Sequence, residues 1–128
     1  MAPIDPEGRR LPVKLDTATN GEYLPMPLTD PVLMAKRLAH DQVSKVSRRL
    51  GMSRRTFLKS VSGAATTLLA MNQAFAAFGR TGGRFEVPLE AAYEPELAQA
   101  ALGGKEFIFD IQGHHVNPKG PWRRPTNR

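Results

Sequence analysis

The sequence predicts a mostly α and irregular chain: one or two helices, at about 30–50 and 53–77, flanked by disordered segments, one isolated strand at about 107–111, and no complete globular domain. Three observations predict it. Pro3, Pro6, Pro12, Pro25 and Pro27 break up the first 29 residues, so no stretch there is long enough for a regular helix. From Val32 to Leu50 apolar residues recur at spacings of three and four. Twenty residues from Ser60 to Gly79 then carry no charge at all.

The first helix is expected to begin at Asp30-Pro31, because Asp accepts free amides and Pro tolerates the first helical position. Val32, Ala35, Ala39, Val43, Val46 and Leu50 form its apolar stripe, while Lys36, Arg37, Asp41, Lys45 and Arg48 mostly lie off it. Gly51 supplies the stop. Ser53 caps the second helix, whose Leu58, Ala64, Ala65, Leu68, Leu69, Ala70 and Met71 are good helix formers. Gly79, Gly82 and Gly83 end it in a joint. Beyond lie an extended stretch, a short helix at Glu94–Ala101, the strand Phe107–Ile111, and an irregular Pro-rich tail.

Composition narrows the function classes. The absence of cysteine excludes a disulfide framework and a thiolate zinc site, and nine aromatic residues are few for a sizeable core. The net charge of +6 sits at the front: residues 1–76 carry eleven Lys/Arg against six Asp/Glu, and residues 77–128 seven against six. That asymmetry fits a targeting leader, and equally a basic nucleic-acid-binding head on a neutral tail.

The stretch S-R-R-T-F-L-K, Ser53 to Lys59, decides between them at sequence level. With the preceding helix it has the outline of a helix-turn-helix over residues 42–59, in which Arg54 and Arg55 would meet phosphates. The uncharged run after it, however, is poor scaffold for a recognition helix. Three parts in fixed order resemble instead a twin-arginine signal peptide. The motif consists of Ser53, Arg54, Arg55, Phe57, Leu58 and Lys59; a moderately apolar segment, Ser60 to Met71, follows; and Ala74-Phe75-Ala76 gives an A-x-A cleavage signal with Ala77 as the first mature residue. The resemblance implies a twin-arginine translocase and a signal peptidase as partners, membrane contact through the signal helix, no nucleic acid, and a periplasmic or extracellular destination. Two adjacent guanidiniums are fixed, permanently charged forks for acidic receptor groups. A further alternative is a small membrane-anchored protein with an uncleaved helix, although only twelve of the twenty uncharged residues are clearly apolar.

The chain thus divides into a leader (1–29), an amphipathic helix (30–51), a signal peptide (52–76) and a short passenger (77–128). Met52 offers an alternative start. In the passenger, F-I-F-D-I-Q-G-H-H-V-N-P, Phe107–Pro118, resembles the first strand and metal-binding turn of the amidohydrolase superfamily of metal-dependent TIM-barrel hydrolases. Over that family's Asp-apolar-His-x-His pattern, Asp110 takes the Asp place, Gln112 the first His and His114 the second, and an amide is a poorer metal ligand than imidazole. The resemblance implies a zinc-like divalent metal and a hydrolase or decarboxylase activity for full-length relatives. The expectation for this chain is an incomplete beginning, too short to be catalytic, since such a barrel needs about 250 residues.

Overall fold

The computed structural model describes residues 5–17, 19, 21–22, 24–80 and 84–104. Every regular element among them is helical: α1 (Asp30–Arg49), α2 (Arg54–Leu58), α3 (Val61–Ala77), a 3₁₀ turn (Leu89–Ala92) and α4 (Pro95–Leu102). The expected strand Phe107–Ile111 lies outside the described residues.

α1 starts one residue earlier than the sequence suggests. Thr29 occupies the cap, its carbonyl accepting from Leu33 N at 2.9 Å, so Asp30 falls in the first turn, where its charge complements the helix dipole. Arg48 and Arg49 do the same at the other end. Gly51, at φ 64°, closes α1 as expected: its N–H reaches Arg48 O at 3.1 Å and Met52 N reaches Ser47 O at 2.8 Å, the two bonds of a left-handed glycine cap.

The second expected helix is divided. Ser60 ends α2 and opens α3, its hydroxyl donating to Phe57 O at 2.6 Å while accepting from Gly63 N at 3.1 Å. The corner turns α3 along α1, the most extensive helix–helix contact in the fold. Pro31, Ala35, Ala39, Val43, Val46 and Ser47 are the buried residues of α1, so the stripe's ends, Val32 and Leu50, fall at its margin.

On α3 the buried set is Ser62, Gly63, Ala65, Thr66, Thr67, Ala70 and Ala74, whereas Leu68 and Leu69 are only half-buried. Small residues are inside because the backbones approach closely. The two threonine hydroxyls are satisfied within the helix, Thr66 Oγ1 donating to Ser62 O at 2.8 Å and Thr67 Oγ1 to Gly63 O at 3.0 Å, whereas Ser62 Oγ is buried with no hydrogen-bond partner among the described residues.

Phe57 anchors the main apolar cluster with Val43, Val46, Leu58 and Ala92, edged by Leu11, Met52, Leu69 and Tyr93. A second cluster joins Ala65 to Ala91 and Ala98, which holds α4 and the 3₁₀ turn against α3. Two polar contacts reinforce this: Asn72 exchanges two hydrogen bonds with the Phe85 backbone at 2.7 and 2.8 Å, and the Arg49 guanidinium lies 4.6 Å from the centre of the Tyr93 ring. The described part of the leader forms no regular element, yet it lies on the helices. Leu11 edges the Phe57 cluster, Gly8 is buried, and Asp16 pairs with Lys36.

The corner at Gly63 generates a test. A Cβ there would lie 2.3 Å from Phe57 O and 2.9 Å from Leu58 Cα, both backbone atoms. Gly63→Ala is therefore expected to lower the thermal midpoint measured by circular dichroism, a loss of about 1–3 kcal/mol from overpacking that outweighs Ala's better helix propensity.

Candidate functional site

α2 exists because Ser53 caps it: the Ser53 hydroxyl accepts from Thr56 N at 3.1 Å, and its Oγ lies 2.8 Å from Thr56 Oγ1. That cap places Arg54 and Arg55 in the first turn. Arg54 is turned back onto α1, where Nη1 donates to His40 O at 3.1 Å and to Ser44 Oγ, and Nη2 lies 3.2 Å from His40 Nδ1. A guanidinium can only donate, so His40 Nδ1 accepts and carries no proton. Ser44 Oγ in turn donates to His40 O at 2.9 Å.

The His40 pKa is accordingly lowered: burial is the largest cause, then the Arg54 and Lys36 charges, with Asp41 and Asp16 opposing. Asp16 itself is lowered, chiefly by its hydrogen bond from Lys36.

Arg55 is half-buried, and its Nε is enclosed with no hydrogen-bond partner among the described residues. The leader closes over it. Gly8, at φ 64°, presses on the first turn of α2 so tightly that a Cβ would lie 2.8 Å from Arg55 N. Asp5 accepts from Arg9 N and Arg10 N, each at 2.8 Å. Its pKa is lowered by the Arg10 and Arg9 backbone bonds first, with smaller contributions from the Arg10 and Arg55 charges. Glu7, paired with Arg9 at 2.6 Å, lines a groove with Pro6, Ser53, Arg54, Arg55, Thr56 and Lys59.

The motif is thus split between surface and core. Ser53 and Lys59 are exposed, Arg54 and Arg55 half-buried, and Phe57 and Leu58 only 0% and 6% exposed. At the far end of α3, Ala74 is buried while Ala76 and Ala77 are exposed. A second left-handed glycine cap at Gly79 ends the helix there, with Gly79 N bonded to Ala76 O and Arg80 N to Phe75 O, both at 3.0 Å.

Another groove, between α1, α3 and the 3₁₀ turn, is lined by Leu69, Val87, Leu89 and Tyr93 and has Lys45 as its single charged lining residue. No helix among the described residues is long and apolar enough to cross a membrane. No three metal-ligating side chains converge among them either, and Asp110, Gln112 and His114 lie outside the described residues.

The sequence reading missed His40, Ser44 and Gly8. The one signal was the i, i+4 spacing of His40 and Ser44, which puts both on one helix face.

His40 supplies a titration test. Its neutral form belongs to the packed state, so its contribution is full above pH ~6.5 and is lost as pH falls through its lowered pKa. By NMR titration, Arg54→Gln is expected to raise the His40 pKa only part-way to its ordinary value, because burial, the larger cause, remains. No family model, curated protein or solved structure matches this chain.

Proposed function

We propose that residues 52–76 are a twin-arginine export signal and that the chain is delivered to the periplasm or outside the cell. One observation carries the reading: the motif Ser53–Lys59 runs directly into the uncharged helix α3, which ends at the exposed pair Ala76-Ala77. The guanidiniums of Arg54 and Arg55 offer forked donors to acidic groups of a translocase receptor. Residues Ser60–Met71 then enter the membrane interface, and a peptidase whose pockets admit small side chains cuts after Ala76.

A phosphate-gripping role fits the geometry less well. α2 has five residues, under one and a half turns, which is short for a recognition helix. For the segment after Ala76 we propose the start of an amidohydrolase-like cargo, a reading supported by the run Phe107–Pro118 and its residues Asp110, Gln112 and His114 in sequence.

Two experiments test the export reading with a folded reporter fused behind residue 128. Replacing Arg54 and Arg55 by Lys keeps both charges but removes the forks, and export measured by fractionation should fall to background. Equal export of the double-Lys variant sinks the proposal. Ala76→Leu should leave the fusion at full length on a denaturing gel, whereas the parent is shortened; a parent that is exported without shortening points to an uncleaved anchor.

A further inference from the structure

We infer that leader residues 5–17 and α1 form an intramolecular cap over the twin-arginine motif, so that the closed chain withholds its signal until the cap lifts. The inference rests on the export reading for its consequence, while the cap itself is a matter of geometry.

Three elements make it. α1 holds Arg54 through His40 O, Ser44 Oγ and His40 Nδ1. The same helix contributes Val43 and Val46, which with Ala92 enclose Phe57 and Leu58. The leader supplies Gly8, seated on the Arg54–Arg55 backbone, with the Asp5 carboxylate close enough to feel the Arg55 charge.

The cap offers the arginines what an acidic receptor would offer: oxygen acceptors for the fork of one and a carboxylate near the other. A receptor must also reach the apolar pair, and Phe57 is wholly inside. Receptor and cap therefore compete for the same atoms, and binding selects the open form.

Opening is eased by acid. His40 faces Arg54 from α2, Lys36 and Asp41 from its own helix and Asp16 from the leader, so a proton on Nδ1 removes an acceptor and sets a second cation beside Arg54.

The experiment uses the full chain, alone and as the reporter fusion. The variants are the pair His40→Ala with Ser44→Ala, and separately Gly8→Ala, whose Cβ would meet the Arg55 backbone. Phenylglyoxal labelling of Arg54 and Arg55, read by mass spectrometry, reports exposure; fractionation reports export rate; circular dichroism confirms that the helices persist.

The paired variant should label Arg54 about tenfold faster or more, the shift expected when a charge-assisted hydrogen bond is lost from a closed state. Gly8→Ala should do the same at Arg55, and both should be exported faster. Unchanged labelling in both variants overturns the cap, and faster labelling with unchanged export overturns its regulatory role. If the double-Lys variant is exported like the parent, the export reading fails, while the labelling arm still judges the cap.

Discussion

The rest of the fold depends on the closeness of α3 to the carbonyl of Phe57. That oxygen accepts from both Ser60 N at 2.9 Å and Ser60 Oγ at 2.6 Å, and the missing side chain of Gly63 lets the next helix begin against it. The tight corner sends α3 back along α1 and traps the Phe57 ring between the helices and the 3₁₀ turn. Because Phe57 belongs to the same seven residues as the paired arginines, the segment that looks like an address is also the centre of the packing. If the segment serves as the proposed export signal, a receptor that engages Phe57 must displace the packing that buries it.

How much of this was legible depended on how local the cause was. The α1 period, the Gly51 stop and the Ser53 cap each act within one turn of chain, and each is found where residue chemistry puts it. The division at Ser60 was hidden because the run after it is uniformly small and uncharged, so one helix and two read alike. Thr66 and Thr67 looked like dilution of an apolar segment; in the fold they are core, chosen for size, while the half-buried Leu68 and Leu69 flank them. The Arg54 partners could not be foreseen, since fourteen and ten residues separate them from His40 and Ser44 and only the turn geometry brings them together. Likewise, prolines in the leader forbid a helix but do not forbid packing, as the buried Gly8 illustrates.

The core is thin in a way that suits opening. Among the described residues Phe57 is its single large fully buried side chain beside Val43 and Val46, and most of the remainder is Ala. Apolar area buried per residue is correspondingly small, and a fold of this size has little stability to spare. The polar latch at Arg54 thus carries a larger share of the closed state than it would in a protein with a broad aromatic interior, and the chemical state of one imidazole matters to it.

The hydroxyls of Thr66 and Thr67 carry one more consequence. Each gives its proton to a carbonyl of its own helix, so neither asks anything of a neighbour. A helix that is self-sufficient in this respect can exchange one set of surroundings for another, protein interior or hydrocarbon, without stranding those two donors. α3 is portable at these positions, and the same threonines that let it nest against α1 would let it leave.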